Sequence, residues 1–301
     1  MMRKIGDINH GSIDEPWLKL AYAEVEVDGK KLRYTESNRV STKRVETLFT
    51  KEPTTIPWLD TINPGDVFVD IGANVGMYTI YAGGIRGAQV YAFEPEALNY
   101  AELNKNIYLN GLHGQILAYC MALSNENKVD RLLLGGFAEG LSHHDFAENT
   151  WQQDKDFGPL KTAKDQRVQQ GAIAYSLDAL VEGNFIPVPK FIKIDVDGLE
   201  YKVVEGCWRT LARQEVESVL VEIDHQIPLC NKIIDRLVEA GWQFSIDQLR
   251  TNRKVIFSPE QLERMRRKGE GGLNYIFYRD KKYTDLFRDF LADYTPPMAK
   301  R

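Results

Sequence analysis

The sequence predicts an α/β chain built on a mainly parallel sheet with helices on both faces, and three observations carry that prediction. Asp66-Val-Phe-Val-Asp-Ile71 is a near-continuous apolar run, as a strand buried on both faces requires. It runs into a glycine-containing turn, Asp70-Ile-Gly-Ala-Asn-Val-Gly76, and then into Met77-Tyr-Thr-Ile-Tyr-Ala82 at helical spacing. From there strands and helices alternate: strand 89–93, helix 96–109, strand 115–119, strand 191–195, strand 219–223 and helix 231–240. Such alternation gives parallel strands joined by crossover helices, a Rossmann-like arrangement.

Ahead of this core, Tyr22 to Val27 and Lys31 to Tyr34 alternate in polarity around Asp28-Gly29, which predicts a β-hairpin. Helices are expected over 39–49 and 54–61, so residues 1–60 read as a small N-terminal extension. The core is expected over 61–280, opened by the Asn63-Pro64-Gly65 turn. Between 135 and 170 periodicity fails, and Phe137, Phe146, Trp151 and Phe157 are scattered through a polar segment. A connection this long is usually functional or disordered, so it reads either as a substrate-facing cap or as a surface excursion. Residues 242–246 and 273–278 look like closing strands, with Gly271-Gly272 as the turn before the second. Residues 281–301 form a tail, expected to be a peripheral helix with a frayed end.

Composition excludes several classes. Across 301 residues, 43% hydrophobic and 27% charged content fits a globular fold, and a net charge of −5 offers no footprint for a phosphate backbone. The basic run Arg264 to Lys268 reads as a solvated helix face. Cys120, Cys207 and Cys230 are far apart with no C-x-x-C pairing, which predicts neither a disulfide framework nor a zinc ribbon. Met1 to Leu20 has no apolar signal-like stretch, and no apolar run suffices for a membrane span, so cytoplasm is the expected location.

The turn at 70–76 can be read for its ligand. A strand end, a tight turn and a helix N-terminus together face the crevice beyond the carboxyl ends of the strands, where missing Cβ atoms would let a ligand approach. A dinucleotide site favours G-x-G-x-x-G, because pyrophosphate lies against the loop. Here the middle position is Asn74, which tolerates positive φ but carries a side chain where pyrophosphate would crowd. Asp70 at the strand end suits an ammonium group better than a phosphate. Glu94, which ends the second strand in Tyr91-Ala-Phe-Glu94-Pro95, stands about twenty residues on, where an acid accepts ribose hydroxyls. An ammonium, a ribose and no phosphate describe S-adenosylmethionine (SAM). A nicotinamide-dependent oxidoreductase is the competing reading, disfavoured by Asp70 and Asn74; a non-catalytic SAM-binding protein is the third.

The segments VFVDIGANVGMYTIYA, YAFEPE, CMALS at 120–124 and FIKIDVDGLEYKVVEG at 191–206 together resemble the FkbM-type family of SAM-dependent methyltransferases, over about residues 51–242. The resemblance implies a class I methyltransferase core of seven strands, the last antiparallel, acting on a hydroxyl oxygen of a sugar, polysaccharide or secondary metabolite. It further implies that Asp70, Gly72, Ala73, Asn74, Gly76, Tyr78 and Asp195 line the methionine end, Glu94 and Pro95 the ribose, and Ala122, Leu123 and Ser124 the adenine. The family's usual acid after this last stretch is Asn125 here.

A hydroxyl is a poor nucleophile, so methyl transfer to oxygen calls for a base or a metal beside the cofactor. Two strand ends supply candidates: Asp195-Val-Asp197-Gly198-Leu-Glu200 and Glu222-Ile-Asp224-His225. Asp195, Glu222 and His225 are expected to act as acid and base groups; the same three could instead hold a divalent cation. Asp197 and Glu200 read as helix-start caps, Lys193 as a packed or paired lysine, and His143-His144 as surface histidines within reach of an acceptor.

Overall fold

A computed structural model describes residues 8–16, 18–142, 144–146, 168–251 and 256–295. The extension opens with β1 (Asn9–Glu15), β2 (Leu18–Val27) and β3 (Lys30–Thr35), an antiparallel sheet in that order, followed by α1 (Arg39–Glu46) and α2 (Thr55–Leu59). The predicted hairpin is present: Asp28 and Gly29 both hold positive φ, 51° and 76°, as a tight two-residue turn requires.

The core begins with β4 (Val67–Ile71), α3 (Met77–Gly84), β5 (Gln89–Phe93), α4 (Ala97–Leu109) and β6 (Ile116–Tyr119). A side sheet follows, of β7 (Ala122–Leu123), β8 (Lys128–Leu133), β9 (Asp145–Phe146) and β10 (Gln169–Tyr175), in the order β7-β10-β8-β9. The chain returns through α5 (Leu177–Glu182), β11 (Phe191–Ile194), α6 (Glu200–Gly206), α7 (Trp208–Leu211) and β12 (Ser218–Asp224). It closes with α8 (Pro228–Glu239), α9 (Ile246–Arg250), α10 (Pro259–Lys268), β13 (Gly272–Tyr278) and α11 (Lys282–Asp293).

The central sheet runs β13-β12-β11-β4-β5-β6, parallel throughout except β13, which is antiparallel to β12. This is the Rossmann-like α/β sheet predicted, and its strand order reverses between β4 and β11, the switch point where ligands bind. The strand count differs from the expected seven. Among the described residues six strands form the sheet, and the segment predicted as a strand at 242–246 contributes one bridge, Gln243 to Tyr278, before Ser245 caps α9. The Ser245 hydroxyl accepts the Asp247 amide at 3.1 Å, so helix initiation overrides strand pairing. The side sheet was not predicted: β8 and β10 pair antiparallel on either side of the segment expected as an insert. Trp151 and Phe157 lie outside the described residues, as does His143.

The extension shares an apolar cluster with the sheet, in which Val25, Leu32, Tyr34, Phe49 and Trp58 pack with Ile80, Tyr81, Phe191 and Tyr278. Trp58 is fully buried, and its indole N–H donates to Ser218 Oγ at 2.7 Å. A second anchor is polar. Asn99, Glu102, Asn106 and Asn110 follow one another at helical spacing on α4, and the first three are buried. Asn106 Oδ1 accepts the Thr35 amide at 2.7 Å, Asn110 Oδ1 accepts the Arg33 amide at 2.8 Å, and Glu102 accepts the Ser37 hydroxyl at 2.5 Å. The stripe thereby pairs the open edge of β3, which would otherwise be left with unsatisfied backbone groups. No described helix is long and apolar enough to cross a membrane.

Candidate active site

The glycine turn after β4 is held from behind. Asn74 has φ +52°, and its amide donates to Glu94 Oε2 at 2.8 Å. Glu94 Oε1 accepts the Glu96 amide at 2.9 Å, so one buried carboxylate clamps the loops after β4 and β5 together. Burial pushes this carboxyl up to about 7 against the pull of the two amides. Gly72 has φ +77°, and a Cβ there would meet the Asp195 carbonyl oxygen at 1.9 Å. A Cβ on Gly76 would meet Leu103 Cδ1 at 2.3 Å. The sequence reading attributed these glycines to ligand approach; the structure shows that close packing of the turn on β11 and α4 already requires them.

Asp70 is 1% exposed, accepts the Thr79 hydroxyl at 2.6 Å through Oδ2, and lies 3.8 Å from Lys193 Nζ through Oδ1. Oδ1 has no hydrogen-bond partner, and burial raises the carboxyl above its usual range although Lys193 opposes the shift. Lys193 pairs in register with Asp70 across β11 and β4, and its ammonium reaches Asp195 Oδ2 at 2.7 Å. It also lies 5.5 Å from the Tyr78 ring centroid. Two aspartates hold this buried lysine charged, its pKa raised despite the desolvation that opposes it. Lys193 is paired, as its alternation along the strand allowed, and it joins the glycine turn to the opposite strand end.

Asp195 also bonds to Glu222 at the end of β12. The neighbouring cations Lys193 and Lys51 hold Asp195 below the usual carboxylate range although burial works the other way. The Asp195 charge pushes Glu222 well above its own, so Glu222 carries the proton of the pair. Carboxylate oxygens of Asp195, Asp197 and Glu222 lie within 4.8 Å of one another. His225 is not in this group. Its ring is 2% exposed, Nδ1 is 2.7 Å from Asn231 Oδ1 and Nε2 is 3.2 Å from the Tyr275 hydroxyl. The expected triad of Asp195, Glu222 and His225 is therefore corrected to two of its members plus Asp197, because β12 turns the imidazole into the α8–β13 packing. This donor set fits a metal poorly: Lys193 supplies positive charge at 2.7 Å, and a shared proton relieves the repulsion between Asp195 and Glu222.

Glu200 does for the second loop what Glu94 does for the first. Its buried carboxylate accepts the Val196 and Gly198 amides at 3.0 and 3.1 Å, and burial raises it to about 7. Glu200 is not the cap expected of it: α6 has no side-chain cap, and the carboxylate turns back to the loop before the helix. Asp197 sits there at φ +57°. Ala122 and Leu123 pair with Ala174 and Tyr175 of β10, and Ser124 Oγ is 3.2 Å from Asn125 Oδ1. The Pro95 carbonyl accepts Gln170 Nε2 at 2.6 Å, so the side sheet braces the loop after β5. His144 accepts the Gly135 amide at 3.3 Å.

Three groups that the sequence reading missed complete the recess. Arg44, Lys51 and Glu52, from α1 and the loop after it, line it together with Gly72, Ala73, Asn74, Tyr78, Lys193 and Asp195. Arg44 donates to the Gly140 carbonyl at 2.8 and 2.6 Å, while Asn74 and Asn99 side-chain amides donate to the Leu141 carbonyl at 2.8 and 3.0 Å. The start of the expected insert is thereby pinned across the glycine turn. A larger hollow of about 660 Å³, lined by Lys190, Glu217 and Arg279, lies at the amino ends of β11 and β12, on the opposite edge of the sheet from these carboxylates.

Comparison with known proteins places the chain. Residues 70–244 match the methyltransferase FkbM domain. The hexuronic acid methyltransferase AglP of Haloferax volcanii is 26% identical over 198 residues, spanning 66% of this chain and 72% of that protein. The 31-O-demethyl-FK506 methyltransferase FkbM of Streptomyces tacrolimicus is 38% identical over 72 residues, 24% of this chain and 27% of that one. Among solved structures, the precorrin-6y C5,15-methyltransferase of Geobacter metallireducens superposes with a TM-score of 0.40 at 11% identity, over 77% of this chain and 90% of that one.

Proposed function

The chain belongs to the FkbM methyltransferase family, and from that premise we propose that it is a cytoplasmic SAM-dependent O-methyltransferase acting on a hydroxyl of a sugar, polysaccharide or secondary metabolite. The observation that carries the reading is the junction of two strand ends: Lys193 bridges Asp70 of the glycine turn and Asp195, which in turn bonds Glu222. SAM supplies an electrophilic methyl on a sulfonium that needs no help in leaving. The protein has to hold an oxygen in line with that methyl and take its proton.

Asp195 suits the second task. Lys193 keeps it ionised, and the hydroxyl turns strongly acidic only as the new C–O bond forms, so a weak base in place suffices. The protonated Glu222 holds the Asp195 carboxylate in one orientation. On the cofactor side, the Asn74 turn and the Glu94 clamp border a recess that suits an amino-acid and ribose ligand. The name of the relative from Haloferax volcanii supports a sugar acceptor.

Incubation with methyl-labelled SAM and a panel of uronic acids, neutral sugars and macrocyclic alcohols, read by mass spectrometry, tests the proposal. An alkali-stable methyl ether is expected. An alkali-labile ester would move the acceptor atom to a carboxylate, and SAM binding without transfer to any acceptor would favour a non-catalytic role. Chelation is expected to leave the rate unchanged.

A further inference from the structure

Lys51 and Glu52 belong to no motif of the glycine turn, yet they face it across the recess. Lys51 Nζ lies 3.2 Å from Glu52 Oε1; the lysine side chain is 46% exposed and the glutamate 12%, so the pair stands at the mouth with its cation outward. Glu52 Oε2 accepts the Thr55 hydroxyl at 3.2 Å, and a further hydrogen bond joins Glu52 to the Tyr78 phenol.

The amino-acid end of SAM carries an ammonium and a carboxylate on one carbon, and each needs a partner of opposite charge once it leaves water. The acid expected to meet the ammonium, Asp70, stands behind Lys193 and Thr79. Asp195 is engaged by Lys193 and Glu222. Arg44 is engaged by the Gly140 carbonyl. Of the charged groups lining the recess, that leaves Lys51 and Glu52, a cation and an acid adjacent in sequence and paired with each other at its mouth.

We propose that Lys51 and Glu52 grip the amino-acid end of SAM, Lys51 taking its carboxylate and Glu52 its ammonium, opposite the glycine turn. The recess is narrow, about 40 Å³, with the pair at its mouth, so the ligand enters by parting the pair. The Lys51 side chain is half exposed and free to swing outward, and the zwitterion replaces each lost contact with another. The N-terminal extension is then part of the cofactor site.

This inference rests on the SAM reading, and calorimetry with two ligands separates the two. S-Adenosylhomocysteine carries the amino-acid group; 5′-methylthioadenosine keeps the adenine, ribose and sulfur without it. The wild type is expected to favour the first strongly. Lys51→Met and Glu52→Gln are each expected to lose about 10- to 100-fold in affinity for S-adenosylhomocysteine, the worth of one charged hydrogen bond, with methylthioadenosine binding unchanged. Lys51→Arg should restore most of the loss. Undiminished S-adenosylhomocysteine binding in the Lys51 and Glu52 variants, or equal losses for both ligands, overturns the proposal. Lys51 is exposed enough to be replaced without unfolding, so it decides alone if the Glu52 variant does not fold. A wild type that binds neither ligand removes the SAM reading itself.

Discussion

The two halves of the site are built on the same plan and differ in how far their parts are separated along the chain. In the half after β4, Glu94 clamps a loop twenty residues upstream through the Asn74 amide, within one β-α-β unit. In the half after β11, Glu200 clamps its own loop, but Asp195 takes its electrostatic setting from Lys193, from Glu222 on the next strand and from Lys51 in the extension. Groups fixed by one short loop keep a constant spacing that a sequence displays. Groups coupled across three elements display none.

The comparison breaks most visibly at Lys193. Removing its ammonium in Lys193→Met leaves the buried Asp70 and the half-buried Asp195 without their cation, and breaking such a contact costs about 3–5 kcal/mol. Urea denaturation at neutral pH should show that loss. A Lys193→Met protein as stable as the wild type would mean that the two halves are not joined through this lysine.

Glu94 sharpens the comparison through pH. Its folded pKa of about 7 stands above the unfolded value of 4.5, so its contribution is fully present at low pH and is lost as pH rises through that window. Wild-type stability should therefore fall relative to Glu94→Gln between pH 4.5 and 7, by on the order of 1–3 kcal/mol, and the difference should be flat above. The midpoint of urea unfolding measured across pH gives the slope. An identical pH dependence in the two proteins would show that the clamp is not a buried, titrating acid.

The smallest change is expected at His225. Burial holds its imidazole below the usual range, and both ring nitrogens are bonded. His225→Ala should cost stability, about 1–3 kcal/mol from the groups left unpaired, and leave the pH profile of kcat in place. A large loss of kcat at unchanged stability would return His225 to the chemistry.

What the sequence determined by itself was the frame. The apolar run at 66–71, the turn at 70–76, the alternation after it and the Asp28-Gly29 pair are local patterns, and they placed the parallel sheet, the glycine turn and the hairpin. Local capping chemistry turned 246–250 into helix and left one bridge of a predicted strand, a competition between two short-range signals that pattern alone did not resolve. Tertiary structure decided the charges. Asp70 and Asp195 are 125 positions apart in the chain yet share one lysine, because β4 and β11 are neighbours at the point where strand order reverses. Tertiary packing also turned His225 away, brought in Asp197, and set Lys51 and Glu52 in one recess with the glycine turn. Coulomb coupling depends on distance in space and on burial, and neither is written in spacing along the chain.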